Sequence, residues 1–447
     1  MGKGWAGVDI IERGGAVQQG RWSTLAWRRA GIERGRYVTG LSFWQADCPA
    51  DQTQAWGPLL GTHVADVAIV GAGVTGVAAA LWLARTGAKV ALVEGREIAA
   101  GASGRNAGFL AHGTAGPYAQ AITRHGRERA RRIWAFTLRN HQMAAGLIAQ
   151  LAEQGRDCGY RCAGSLKLAA SASELADLRA DEALLRADGW EVESVGLRDL
   201  PPRLRLFYRG GSYHPANGEV HPVHYVVGLA LLAAQAGATF YQTSPVLTLS
   251  ETAQGISLTT PQGELHAGKL ILATNAWTSA LARLAGLDWL AGCVTAVRGQ
   301  MLATEPLDEL VFPCPCAADH GYQYWRQVAG RLLIGGWRNH SFATEEVADE
   351  TPGIQVQQHL DAFVHETLNL PQVGIATRWA GLMAFSADGL PLVGQLPGTQ
   401  HCYISAGYSG HGNAYAVHAA FLLSELVQGR EPEEAELFRP ARFARGG

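Results

Sequence analysis

Three features of the sequence predict an α/β protein in which a nucleotide-binding domain is interleaved with an α+β domain built on an antiparallel sheet. A strand–turn–helix–strand unit runs from Val64 to Gly108. Short alternating segments lie between Val294 and Gly336. A second glycine-rich turn, Gly407 to Asn413, precedes an apolar helix near the C-terminus.

The first unit carries most of the information. The apolar run Val64–Val70 feeds into Gly71-Ala72-Gly73-Val74-Thr75-Gly76. An Ala/Leu-rich helix follows to Arg85, Gly87 ends it, and a second apolar run, Val90–Val93, stops at Glu94. Gly71 lets the chain turn sharply out of the strand, Gly73 lets a diphosphate approach the backbone, and Gly76 lets helix and strand pack closely. The start of the helix offers free N–H groups and a partial positive charge. Glu94, about 20 residues on, is placed to accept ribose hydroxyls. The unit therefore predicts a Rossmann-like dinucleotide site.

The tail of that unit, Gly101-Ala102-Ser103-Gly104-Arg105-Asn106-Ala107-Gly108, resembles the signature of the D-amino-acid oxidase-like flavoproteins. Ala107 departs from it, standing where those proteins usually have glycine. A second cluster strengthens the resemblance: Arg378-Trp379-Ala380-Gly381, then Ser386-Ala387-Asp388-Gly389 through Gly394, then Gly407-Tyr408-Ser409-Gly410-His411-Gly412. Ser42-Phe43-Trp44-Gln45 resembles the lead-in of the gamma-glutamylputrescine oxidoreductase branch, near the glycine oxidases. The resemblance implies FAD, gripped by Gly71, Gly73, Gly76, Glu94, Ser103, Arg105, Asn106 and Gly108, with the Val246 backbone at adenine and Gly381, Gly410 and Gly412 near the flavin. Backbone N–H groups at Gly410, His411 and Gly412 would face the charge that reduction leaves on the ring. Sarcosine oxidases attach flavin to a cysteine where this chain has Gly381, and dimethylglycine dehydrogenases to a histidine where it has Arg105 and Asn106. FAD is therefore expected to be non-covalent.

Composition is that of an ordinary globular chain: 447 residues, 47% hydrophobic, 17% charged, net charge −2. That balance argues against nucleic acid or an anionic membrane surface as partner. Seven cysteines at irregular spacing do not make a disulfide framework. Cys314 and Cys316 read as loop residues, and His214, His221 and His224 as capping and packing residues; no metal site is expected. With no apolar run of bilayer length and no secretory leader, the expected location is cytoplasmic.

The expected organisation is an irregular N-terminal extension over 1–58, an FAD domain over 59–165 with 215–285 and 377–447, and a substrate domain over 166–214 with 286–376. Residues 1–40 show no period and are expected to be loosely packed. A long helical region covers Arg124–Gln154. Ser173 is a candidate cap for a helix over 174–188, and His221-Pro222 opens another through Ala236. Thr239–Leu249 reads as a strand holding Val246. Asn275 stands where the resembling proteins have glycine, and a left-handed turn there suits asparagine.

Tyr322, Tyr324 and Arg326 alternate, so on a strand they would share a face. The pattern resembles a strand whose arginine binds a substrate carboxylate as a fork. Tyr324, Arg326 and His411 are the candidate catalytic residues, with Tyr322, Trp325, Trp337 and Trp379 as further pocket walls. The implied reaction is oxidation of the C–N bond of an amine or amino acid to an imine, with oxygen or an electron carrier as acceptor. Candidate substrates are gamma-glutamylputrescine-like amines and N-methyl or D-amino acids. Leu333 stands where monomeric sarcosine oxidases have an oxygen-activating lysine, so oxidase and dehydrogenase remain open. A flavin-binding module of a larger complex or of a tRNA-modifying enzyme is the alternative.

Overall fold

The structure, a computed structural model, describes residues 40–48, 56–309 and 311–444. Most of the expectation for the N-terminal extension therefore lies outside the described residues. Two large sheets organise the chain. The first has the order 392–395, 402–406, 263–272, 61–70, 90–93, 239–241, with the hairpin strands 248–252 and 255–259 hanging from 263–272. From 402–406 to 239–241 its neighbours are parallel. Helices cover it, so its central strands read as unbroken apolar runs. Val90–Val93 and the end of Gly61–Val70 are buried on both faces.

Helix Val74–Ala84 lies at the middle of the first core and is buried along almost its whole length. It packs between helices Pro222–Gln235 and Gly412–Val427, which explains why all three are apolar on every side. His221 caps the second of these. Its Nδ1 accepts the His224 N–H at 3.1 Å, and Pro222 occupies the first turn, where a missing N–H costs nothing. Among the described residues no helix is long and apolar enough to cross a membrane.

The second sheet runs 375–386, 294–304, 331–336, 323–328, 316–318, 165–169, 210–214, 193–196. Its neighbours are antiparallel except for the parallel pair 316–318 with 165–169. Strand Ile375–Ser386 pairs along its whole length with Val294–Thr304. The return to the FAD domain thus follows Ser386, and the expected boundary at 377 falls inside the substrate sheet.

Other elements differ from expectation for local reasons. The long helical region breaks at Gly126, whose φ of 80° separates Tyr118–His125 from Arg127–Glu153. The next helix is capped by Ser171, not Ser173, because Ser171 Oγ accepts the Glu174 N–H. Strand Thr239–Tyr241 stops early, and Val246 lies on the connection to Thr248–Thr252. Asn275 does take the left-handed conformation, with φ 43°.

Candidate active site

The first glycine turn is built by close approach. A Cβ on Gly76 would overlap the carbonyl oxygen of Gly71, and one on Gly71 would lie 2.6 Å from the Ala273 carbonyl oxygen. Gly73 caps the helix without a side chain. The Val74 N–H donates to Ser103 Oγ at 3.0 Å, which leaves the Ser103 hydroxyl proton for a phosphate oxygen. Glu94 is held by two backbone donors, with Ala72 N–H on Oε2 and Arg96 N–H on Oε1, both at 2.8 Å. The chain approaching Val246 runs beside this acid: Ser244 N–H donates to the Glu94 carbonyl and Thr243 N–H to that of Arg96, each at 2.8 Å.

Residues 102–108 are fastened by their own side chains. Arg105 donates from Nε, Nη1 and Nη2 to the carbonyls of Ala100, Ala380 and Gly40. It is a buried clamp between the signature and strand Ile375–Ser386, not a free phosphate ligand. Gly381 is glycine for the same reason, since a Cβ there would sit 2.8 Å from the Cβ of Arg105. Asn106 is likewise engaged, donating to the Ala102 and Ser103 carbonyls and accepting the Gly108 N–H. Any contact that Arg105, Asn106 or Gly381 makes with the cofactor must therefore come largely from backbone. Ser42 and Trp44 secure the same segment, through Ser42 Oγ to the Gly104 carbonyl at 2.5 Å and Trp44 Nε1 to that of Asn106 at 2.7 Å. The sequence marked these residues only as a resembling lead-in; in the structure Ser42 and Gln45 form a capping box.

The C-terminal turn meets the first one directly. The hydroxyls of Thr75 and Tyr408 share a hydrogen bond of 2.8 Å, and Tyr408 shares another of 2.6 Å with Ser405. Asn413 donates to Asn106 Oδ1 at 3.4 Å and to the Phe109 carbonyl at 3.1 Å. Ser409 and Gly410 have φ of 51° and 86°, which turns the chain into helix Gly412–Val427. Tyr408→Phe is expected to cost about 1 kcal/mol and to weaken FAD retention. Urea unfolding and flavin loss on dilution measure the two effects separately.

The face of the second sheet turned toward these loops is set by register. One cross-strand row reads Trp379, Met301, Gly335, Tyr324, Ala317, Lys167. Residues in one row share a face. Met301 and Trp379 belong to the core of the cofactor domain, with Tyr324 packed at its edge. The next row, with Trp325, points the other way. Trp325 and Trp337 both pack on Phe363 in the separate core behind the sheet, so neither lines the site. Tyr322 falls outside strand Gln323–Val328, and the three-residue alternation begins only at Tyr324.

Arg326 shares the face of Tyr324, but two of its three nitrogens already face protein acceptors. Nε lies 3.0 Å from Glu219 Oε2. Nη1 donates to the carbonyls of Val220 and Gly108 at 2.9 and 3.1 Å. A carboxylate fork needs two adjacent nitrogens, Nε with Nη2 or Nη1 with Nη2, and each edge is already half used. Burial pushes the Arg326 pKa down to about 10, with Glu219 opposing. Arg326 is thus a buried tie between strand and signature loop, and its expected role as carboxylate fork is corrected. Glu219, which also pairs with Arg161, is the partner that the sequence did not disclose.

His411 stands half-buried at the start of the last helix. Burial and then the Lys167 charge push its pKa down to about 4. His112 is lowered to about 4 by the same two causes in the same order, and His214 is well below its usual value for burial, Lys167 and His112. These histidines are neutral in the fold and protonate readily only when unfolded, so the unfolded state binds more protons between pH about 6.5 and about 4. Stability should fall as pH drops through that window. Thermal midpoints across it should decline, and a flat profile would count against neutral burial.

Comparison with known proteins agrees with this geometry. A probable oxidoreductase, OrdL, of Haemophilus influenzae is 28% identical over 400 residues, covering 85% of this chain and 86% of that protein. The gamma-glutamylputrescine oxidoreductase of Escherichia coli is 27% identical over 379 residues, 81% of this chain and 84% of the relative. The crystal structure of glycine oxidase from Geobacillus kaustophilus superposes with a TM-score of 0.71 at 26% identity, covering 85% of this chain and 98% of that one. The family model described as FAD dependent oxidoreductase (DAO) matches residues 66–426. With its two glycine-rich turns joined at Thr75 and Tyr408, the chain belongs to that family of FAD-dependent oxidoreductases.

Proposed function

We propose that the protein oxidises the C–N bond of a small amine or amino acid to an imine, which water then hydrolyses. Gamma-glutamylputrescine-like amines and N-methyl or D-amino acids are the substrate classes in view. The observation that carries this reading is the Thr75–Tyr408 contact, in the same core as Trp379 and the neighbouring Tyr324 of the second sheet. The residues fit FAD: the glycines at 71, 73 and 76 clear space that a Cβ would fill, and Glu94 is fixed by backbone donors with lone pairs to spare. FAD, when bound, supplies the acceptor for the hydride. In this reading Ser103 and the N–H groups after Gly73 hold the diphosphate, Glu94 the ribose, and the Val246 segment the adenine. The amides of Gly410 to Gly412 face the ring's developing charge. Tyr324 and neutral His411 border the substrate, and an aromatic wall favours the uncharged amine that donates hydride.

Non-covalent attachment is supported by Gly381, Arg105 and Asn106 at the positions where relatives form bonds to flavin. No disulfide joins the described cysteines, as suits the cytoplasm. The test is anaerobic bleaching of the FAD-loaded protein by a panel of amines and amino acids, followed by exposure to air. Bleaching by an amine supports the reading, and the rate of return of colour decides between oxygen and another acceptor. Protein that no amine bleaches would overturn it.

A further inference from the structure

With Arg326 committed to Glu219, a carboxylate entering the site must meet another cation. Arg338 follows strand Arg331–Gly336, just past Trp337, whose left-handed φ of 59° turns the chain sharply. Its guanidinium carbon lies 4.6 Å from the ring centre of Phe385, 4.9 Å from Tyr322 and 5.5 Å from Phe342. Three rings thus surround the guanidinium, and such contacts attract the cation without using its N–H donors.

Its location is fixed by two further relations. Phe385 alternates with Trp379, Gly381 and Met383 on strand Ile375–Ser386, so it lies on the face turned to the cofactor loops. The Phe385 ring is also the wall of the C-terminal turn: a Cβ on Gly410 would stand 3.8 Å from its Cζ. The charge of Arg338 reaches Tyr324, where it opposes the rise that burial imposes on that phenol. Arg338 therefore lies close to the Phe385 ring that walls the Gly410 turn, within electrostatic reach of Tyr324. Its guanidinium makes no hydrogen bond or ion pair with any described residue. A half-buried arginine whose N–H donors no described residue takes, set among aromatic rings, has the charge and the fork to receive a carboxylate.

We propose that Arg338 binds the carboxylate of an amino-acid substrate and so sets the preference for amino acids over simple amines. The proposal rests on the amine-oxidation reading, and its test separates the two. In the FAD-loaded enzyme, kcat/KM is measured for an amino acid and for the amine lacking its carboxylate. Arg338→Met should lower the ratio of the two roughly ten- to hundredfold, the range of one charged hydrogen-bonding partner. Arg338→Lys should recover part of it, because a point charge replaces the fork. An unchanged ratio overturns the proposal. So does a collapse of the ratio in Lys167→Met, the other cation on this sheet face, with Arg338→Met silent. Benzoate supplies a readout independent of turnover. It should perturb the flavin absorption of the wild type and not of Arg338→Met, even if no substrate bleaches the enzyme. Equal perturbation of both proteins, or none in the wild type, removes Arg338 from carboxylate binding.

Discussion

Replacing Gly76 with alanine is expected to yield a chain that no longer retains FAD. The added methyl would overlap the Gly71 carbonyl oxygen and lie 3.3 Å from the Ala273 Cβ. A backbone oxygen cannot rotate away, so helix Val74–Ala84 must lift from the strand. Overpacking of a tight core costs about 1–3 kcal/mol, and here it also withdraws the first helical N–H groups from the diphosphate. Flavin content of the purified variant measures the second effect and its thermal midpoint the first. Gly87→Ala is the comparison. Gly87 follows the same helix with φ 86° and open space around it, so that change strains the backbone without touching the turn. It should lose stability and keep its flavin.

Arg326→Met should be the most destabilising single change on the substrate sheet. Arg326 and Glu219 are 3% and 2% exposed, and removing one partner leaves the other's charge buried. Such truncations cost about 3–5 kcal/mol; Arg161, which still reaches Glu219, places this one toward the lower end. Glu219→Gln should also destabilise, and the double variant should be more stable than the two single losses added together. Urea midpoints of the FAD-loaded proteins give the cycle. Activity on amines and on amino acids should fall together, because Arg326 holds Gly108 and Val220 rather than substrate. A stable Arg326→Met enzyme impaired only on carboxylates would reinstate the role that the sequence suggested.

That reversal shows where the sequence is informative and where it stops. The turn at Gly71–Gly76 and the acid at Glu94 were legible because most of their partners lie on the same strand–helix–strand unit, Ala273 beside Gly71 being the exception. The cap at His221 was legible for the same reason. Arg326 was misread because its partner, Glu219, reaches it only through the pairing of Phe109–Leu110 with Gly218–Glu219, a long-range contact with no local signature. Trp325 was misassigned because side chains alternate along a strand and which residue faces the site depends on sheet register; Trp337 was misassigned because it lies just past its strand, in a left-handed turn. Arg338 escaped notice because its aromatic cradle comes from three separate segments. Residue 377 lies inside strand Ile375–Ser386 because that strand's motif residues pair with Val294–Thr304, a long-range pairing that the motif does not announce.

The central claim is that two glycine-rich turns from opposite ends of the chain grip one FAD. Amide hydrogen exchange with and without bound FAD tests it most directly. The account predicts that removing FAD speeds exchange in both Gly71–Gly76 and Ser409–Asn413. Faster exchange in the first segment alone, with the second unchanged, would contradict it.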